Sequence, residues 1–158
     1  MAIKSKIKTT KARLVNKDIV KIAGIQMASG PDINSNLNEA ENLITIAANQ
    51  GAKIIALPEY FSIMTSKDSE KLKAREKPDQ GIVQSFLSKQ AKKHKVWIIG
   101  GSIPLVSKDK NKIRNSCLIY DDKGNLVHRY DKIHLFGFDM GEEYYREDKL
   151  IEAGSEIV

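Results

Sequence analysis

The chain has 158 residues, one cysteine and a formal net charge of +6 at pH 7. A single cysteine excludes a disulfide framework within the chain, which fits a reducing compartment, and we expect a cytoplasmic protein. No apolar run approaches the roughly 20 residues that span a bilayer, so the sequence argues against an integral membrane protein. Residues 1–18 carry six basic side chains and one acidic one, which leaves the remainder close to neutral. The charge therefore gives no argument for a nucleic-acid-binding surface.

The basic start of the chain is not followed by the apolar segment of a secretory signal. We expect residues 1–18 to form a disordered, solvated leader and order to begin at Ile19. A transit peptide is the alternative, because the leader is poor in acids, but it is rich in lysine where such peptides favour arginine. The sequence thus predicts a leader over 1–18 and one folded domain over 19–158.

The first part of that domain alternates between strand-like and helix-like patterns. Residues 19–28 are β-like, and a helix follows with Asn34 or Ser35 as its N-cap and Gly51 just past its end. The short apolar run 53–57 predicts a strand buried on both faces. Strand, helix and strand in this order are typical of an α/β unit. One helix face is apolar, with Leu37, Ala40, Leu43, Ile44, Ala47 and Ala48.

The next segment predicts a loop, a helix and a further strand. Residues 62–79 are polar and indicate a long loop with at most a turn of helix. A helix is predicted over 80–95, and a buried strand over 96–103, in which Gly100 and Gly101 permit a close approach by another backbone or a ligand. The helix's predicted inner face consists of Ile82, Val83, Phe86, Leu87, Gln90 and Ala91. A nucleotide-binding loop is excluded, since neither GxGxxG nor GK[ST] occurs.

Beyond this point the pattern changes to antiparallel strands. Residues 115–120 and 126–134 are β-like, and residues 121–125 between them are a strong hairpin signal. The remainder, 136–158, is mostly polar and predicts irregular structure, with 156–158 resembling the start of a strand. The overall fold class is therefore α/β with an antiparallel addition.

Two charged residues end strand-like runs and are candidates for catalysis. Glu59 lies at the carboxyl end of a buried strand, where open α/β sheets place ligands, and a partly desolvated carboxylate there suits a general base. Lys132 follows an alternating run, and a lysine in an enclosed site can stabilise a developing oxyanion. Each residue also has an interpretation without a catalytic role. Glu59 could be an exposed acid on a loop, and Lys132 could be a solvated edge-strand lysine that discourages strand pairing.

The other chemically active side chains give weaker signals. Cys117 lies in the middle of a predicted strand, which favours a buried, inert thiol over a nucleophile. The three histidines and the one cysteine lack metal-ligand spacing, so no metal site is expected. An acidic cluster favours a solvated loop over a cation site, because its spacing does not match an EF-hand. That cluster consists of Asp139, Glu142, Glu143, Glu147 and Asp148.

Five stretches in order resemble one known family. They are residues 22–27 (IAGIQM), 57–59 (LPE), 100–104 (GGSIP), 115–116 (NS) with 120–121 (YD), and 130–136 (YDKIHLF). Together they resemble the nitrilase superfamily, the carbon-nitrogen hydrolases, and are most similar to bacterial amidases of the branch with deaminated glutathione amidase and omega-amidase. The resemblance covers about residues 20–158.

This resemblance implies an α-β-β-α sandwich, of which the chain would be the N-terminal portion, incomplete at its C-terminus. It implies a Glu-Lys-Cys triad in which Glu59 is the general base and Lys132 stabilises the tetrahedral intermediate. Glu147 lies where many members carry a second glutamate. The implied partners are a small-molecule amide and, in the full-length form, further copies of the chain. No cofactor is implied.

The chain departs from the family at the nucleophile. The family's cysteine follows the lysine motif in a segment resembling G-x-x-I-C-Y-D, which these 158 residues do not contain, whereas Cys117 matches a strand position. We therefore expect a truncated hydrolase domain that is inactive alone. A non-catalytic binding or regulatory protein on the same scaffold is the alternative. A flavodoxin-like domain is disfavoured by the hairpin and the Lys132 motif.

Overall fold

The computed structural model describes residues 19–141 and 143–158, so the predicted leader lies outside the described residues. The described part is a mixed α/β structure, which confirms the predicted class. Its strands are β1 (Ile22–Gly24), β2 (Ile54–Ala56), β3 (Trp97–Ile99), β4 (Ile103–Val106), β5 (Ile113–Tyr120), β6 (Leu126–Asp131), β7 (Gly137–Met140) and β8 (Glu143–Arg146). Its helices are α1 (Ile33–Asn49), α2 (Asp68–Ala74) and α3 (Ile82–His94), with a 3₁₀ turn at Glu147–Lys149.

Six of the strands form one sheet, in which β1, β2 and β3 are parallel neighbours. The antiparallel strand β5 pairs with both β3 and β4 on one side and with β6 on the other. The predicted change from crossover connections to an antiparallel hairpin is confirmed. Because β2 and β6 both end near the same region of the sheet, the residues that follow them can meet.

The core lies between this sheet and helices α1 and α3. Ile44 from α1 and Leu87 from α3 are fully buried against Ile55 of β2 and Ile98 of β3. The opposite face of these strands is only partly covered in the described part of the chain, and Trp97 is 43% exposed. The run 53–57 was predicted to be buried on both faces, but Ile54 and Ala56 of β2 are only half-buried, because in the described residues α1 and α3 cover the other face.

Helix α1 begins earlier than predicted. Its N-cap is Asp32, whose Oδ1 accepts a hydrogen bond from the Ser35 backbone N–H at 2.7 Å, so neither Asn34 nor Ser35 is the cap. Both residues lie inside the helix, because the helix already begins at Ile33 and Asp32 accepts from one of the free N–H groups in its first turn. At the other end, Gly51 has φ +90, which confirms the left-handed position predicted for it.

Three further element predictions need correction. The strand predicted over 96–103 is two strands, β3 and β4, with Gly101 at φ +55 between them. The polar segment 62–79 contains the two-turn helix α2. In α3, Ile82 is 54% exposed, whereas Gln84 is buried, because its side chain bonds to Glu76 and to nearby carbonyls at the start of the helix.

The segment predicted to be irregular contains a second, two-stranded sheet. Strands β7 and β8 pair antiparallel, from Gly137 with Arg146 to Met140 with Glu143. Its aromatic side chains are partly exposed yet contact each other, with the ring centroids of Phe136, Phe138 and Tyr145 all 6.1–6.3 Å apart. The predicted strand at 156–158 is absent in the structure. In the described residues, no helix has the length and apolarity to cross a membrane.

Candidate active site

Glu59 lies in a tight turn directly after β2. The next residue, Tyr60, has φ +54 and donates its backbone N–H to Ser102 Oγ at 3.0 Å. Gly101 packs against the same turn so closely that a Cβ there would lie 2.0 Å from the Pro58 carbonyl oxygen. Only glycine fits this approach, and the left-handed backbone also favours glycine. The Gly101–Ser102 pair therefore fixes where the Glu59 carboxylate lies.

A side chain from the middle of the sheet holds that carboxylate. Asn115 on β5 is buried and donates a hydrogen bond from Nδ2 to Glu59 Oε1 at 2.7 Å. This bond joins the turn after β2 to β5, and these two strands are separated in the sheet by β3. The Glu59 side chain is still 53% exposed, so its remaining oxygen surface is open to a ligand.

Lys132 follows β6 and is fixed on both sides of its backbone. Its N–H donates to the Asn115 carbonyl at 2.9 Å, and its carbonyl accepts from the Gly154 N–H at 2.9 Å. Its ammonium nitrogen lies 3.2 Å from Glu59 Oε1 and 2.9 Å from Glu147 Oε2. The lysine thus bridges two carboxylates and its side chain is 23% exposed, so it is not freely solvated, although the preceding strand β6 pairs only with β5 in the described residues.

Glu147 is brought to the lysine by the β7–β8 hairpin. It is 7% exposed, unlike Asp139 and Asp148 of the same acidic segment, which are exposed. Its backbone N–H donates to the Phe136 carbonyl at 3.0 Å, and its Oε2 accepts from the Phe136 N–H at 2.7 Å. The two ends of the hairpin are therefore held together next to Lys132, where the Glu147 carboxylate is buried.

The electrostatics of this cluster keep the lysine charged. Burial opposes the ammonium form of Lys132, but hydrogen bonds with Glu147 and Glu59 outweigh it and raise the pKa of Lys132. Burial, together with the charge of Glu147, raises the pKa of the neighbouring Tyr60 and Tyr145 hydroxyls. At neutral pH the cluster therefore holds a protonated amine between carboxylates, with neutral phenols beside it.

A cavity of about 350 Å³ opens beside the cluster. Its lining consists of Leu57, Glu59, Ile99, Gly101, Ser102, Asn115, Cys117, Tyr130 and Lys132. Cys117 is half-buried and lines this cavity, so the prediction of a buried thiol holds only in part. Burial raises the pKa of this thiol, which disfavours the thiolate form that acts as a nucleophile.

The structure brings together the three residues singled out in the sequence, Glu59, Lys132 and Glu147, within hydrogen-bond distance. Sequence reasoning missed Ser102 and Asn115 as site residues, although both belong to stretches that carry the family resemblance. The available signal was polarity, since each is a polar side chain inside a predicted strand, Ser102 in 96–103 and Asn115 in 115–120. In the described part of the chain, no three histidine, cysteine or acidic side chains are grouped to hold a metal ion.

This arrangement suits proton transfer and oxyanion stabilisation at one carbon. A carboxylate with an open side can accept and return a proton, and Glu59 has both the exposure and a fixed position. A preorganised ammonium group such as that of Lys132 stabilises negative charge at little reorganisation cost. Glu147 lies on the far side of the lysine and holds it in place.

Comparisons with known proteins identify the family of the chain. The family model described as Carbon-nitrogen hydrolase matches residues 21–158. A deaminated glutathione amidase from Synechocystis is 33% identical over 134 residues, which cover 84% of this chain and 48% of that protein. The human omega-amidase NIT2 is 34% identical over 135 residues, which cover 85% of this chain and 48% of that protein.

A solved structure extends the likeness to the fold. The crystal structure of Saccharomyces cerevisiae Nit3, described as a member of branch 10 of the nitrilase superfamily, is 27% identical with a TM-score of 0.73. The match covers 87% of this chain and 49% of that one. The nitrilase fold is thereby confirmed, and the chain spans about half the length of the relatives it matches.

Proposed function

This chain belongs to the carbon-nitrogen hydrolase family, and we propose that it supplies the general base and the lysine of an amidase that cleaves small carboxamides through a thioester. The observation that carries the proposal is the Lys132 ammonium group, which lies 3.2 Å from Glu59 and 2.9 Å from Glu147 beside a cavity. An amine between two carboxylates is held in one position and in one protonation state, which oxyanion stabilisation requires.

In the proposed reaction a cysteine thiol attacks the amide carbon while Glu59 takes the thiol proton. The carbonyl π electrons move to oxygen, and Lys132 stabilises the resulting tetrahedral oxyanion. The C–N bond then breaks, and the proton on Glu59 passes to the leaving nitrogen, which departs as ammonia. Water attacks the remaining thioester while Glu59 again accepts a proton. The C–S bond then breaks and Glu59 returns the proton to sulfur, so that the carboxylic acid and the free thiol are released.

We further propose that the attacking cysteine lies outside these 158 residues and that they alone do not hydrolyse amides. Cys117 is a poor candidate, because burial raises the pKa of its thiol and it lies within the regular strand β5. A nucleophile is usually presented on a turn with its base in hydrogen-bond reach. Within the described residues Cys117 forms no hydrogen bond to Glu59 or to another carboxylate.

The relatives support the amide as the bond that is cleaved, since one is named deaminated glutathione amidase and the other omega-amidase. The cavity supports a small acyl group, because about 350 Å³ is at the lower end of the range for small-molecule sites. We also propose a cytoplasmic protein, on the basis of its single cysteine, and one that assembles with further copies of itself in the full-length form, on the basis of the family resemblance. The cavity exists without the missing cysteine, which also keeps a binding protein on this scaffold as the second candidate.

Ammonia release tests the proposal. The purified 158-residue chain and its Cys117→Ser variant would be incubated with propionamide and with succinamate, and ammonia measured with coupled glutamate dehydrogenase. We expect no ammonia above the protein-free blank from either protein. Release by the parent chain that is lost in Cys117→Ser would make Cys117 the nucleophile and sink the proposal that the cysteine lies elsewhere.

A further inference from the structure

Asn115 has one polar atom that the protein does not satisfy. Its Nδ2 donates to Glu59 Oε1 at 2.7 Å, whereas its Oδ1 is buried and has no hydrogen-bond partner among the described residues. The assignment of nitrogen and oxygen in this amide follows from the partner, because a carboxylate oxygen accepts a hydrogen bond and the Nδ2 group is the donor that faces it. The unsatisfied atom is therefore an acceptor, and a buried acceptor without a partner is costly.

This acceptor belongs to the wall of the candidate active site. Of the buried side-chain atoms without a partner in the described residues, the others are Ser62 Oγ and Gln90 Oε1, and neither residue lines this cavity. Asn115 itself lines the cavity, but its Oδ1 is buried in the free chain, so a ligand would reach this oxygen only after a small turn of the amide, which the broad terminal torsion of asparagine permits. The protein thus leaves an N–H acceptor unused beside Glu59 and Lys132.

We propose that Asn115 Oδ1 accepts a hydrogen bond from the nitrogen of the bound carboxamide and so positions the leaving group. This inference rests on the proposed function. A primary carboxamide offers a carbonyl oxygen and an NH₂ group, and the cavity offers a donor and an acceptor, the Lys132 ammonium group and Asn115 Oδ1. The same asparagine holds Glu59 through Nδ2, so it keeps the amide nitrogen and the proton-transferring carboxylate side by side.

Asn115 is in consequence a residue that selects for N–H donors. A ligand with the carbonyl but without the N–H leaves Oδ1 unsatisfied and loses one buried hydrogen bond. Sites that hydrogen-bond a substrate group reject the analogue lacking it, because the buried partner is then left unpaired. Binding of a carboxamide should therefore exceed that of a matched ketone about tenfold, the ratio for roughly 1.4 kcal/mol.

The test compares propionamide with butanone, in which a methyl group replaces the NH₂ group and the carbonyl is retained. Both would be titrated into the ¹⁵N-labelled 158-residue chain, and affinity read from the shifts of cavity resonances, including the Asn115 side-chain amide. We expect propionamide to bind about tenfold tighter and to shift the Asn115 Nδ2 signals more than butanone does. Equal affinities, or no binding of propionamide, would overturn the assignment.

An Asn115→Leu variant separates hydrogen-bond acceptance from packing, since leucine has the same branching and number of side-chain heavy atoms and no acceptor. In this variant the preference for propionamide over butanone should disappear. A preference that persists in folded Asn115→Leu would overturn the role of Asn115. If the variant does not fold, the comparison in the parent chain still decides. These outcomes concern ligand binding alone. The proposed function is tested separately by ammonia release, so failure of one proposal can be told from failure of the other.

Discussion

Substituting alanine for Gly101 would show how strongly the Glu59 turn depends on close backbone packing. A Cβ at this position would lie 2.0 Å from the Pro58 carbonyl oxygen and 2.8 Å from the Leu57 carbonyl oxygen. The backbone of Gly101 is also left-handed, at φ +55. The substitution therefore combines a conformational cost with a steric overlap that backbone movement alone can relieve.

The magnitude follows from the two contributions. An L-residue in the left-handed region costs roughly 1–2 kcal/mol, and overpacking of a close contact typically adds about 1–3 kcal/mol. We expect Gly101→Ala to lower the free energy of unfolding by about 3 kcal/mol. Gly51→Ala is the matched control, because Gly51 has φ +90 but no heavy atom within 4 Å of an added Cβ. That control should cost only about 1 kcal/mol.

Urea unfolding followed by the fluorescence of Trp97, the only tryptophan, would measure both changes. Trp97 lies on β3, in the middle of the sheet and just before Gly101 in the chain, so its signal reports the sheet that carries the site. The difference between the two variants isolates the overlap with Pro58. Equal destabilisation of Gly101→Ala and Gly51→Ala would refute the reasoning that the Glu59 turn is held by this contact.

Three further outcomes are expected. In Glu76→Ala, helix α3 loses a carboxylate that accepts hydrogen bonds from the Val83 and Gln84 N–H groups. Urea unfolding should therefore show a free energy of unfolding lowered by about 1–2 kcal/mol, and an unchanged value would show that Glu76 does not cap α3. The alkylation rate of Cys117 should rise with pH, with a midpoint at higher pH than that of free cysteine, because burial raises the pKa of this thiol. A midpoint at or below that of free cysteine would contradict this expectation. The raised pKa of Lys132 means that its stabilising contribution is complete below the ordinary lysine pKa and is lost as pH rises through the folded value. Alkaline titration of stability should thus be less steep in Lys132→Met, and an unchanged slope would count against the pairing.

The sequence predicted most of the sheet because its signals are local. The short apolar runs around Ile55 and Ile98 and the turn at 121–125 specify strands and a hairpin without reference to distant residues. The prediction of one strand over 96–103 was wrong at the break between β3 and β4, because two adjacent glycines are equally consistent with one continuous strand. The left-handed backbone of Gly101 follows from its contact with Pro58, which is distant in sequence.

The candidate site was predictable only where a charge ended a strand. Glu59 and Lys132 could be found in that way, and Glu147 by resemblance alone. Asn115 was not recognised because its part depends on the turn after β2 lying over β5, a tertiary contact. The β7–β8 hairpin was missed because its aromatic residues are partly exposed, which weakens the alternation that marks a strand facing a core.

The proposed role of Glu59 and Lys132 is that of the proton-transfer and oxyanion sites of an amide hydrolase. Its most direct test is ammonia release from propionamide by the product of the coding sequence read past residue 158, beside Glu59→Gln and Lys132→Met variants. We predict release by the longer product and a loss of at least about 100-fold in each variant. Hydrolysis that persists in either variant, or a longer product that contains the cysteine segment and releases no ammonia, would contradict the account.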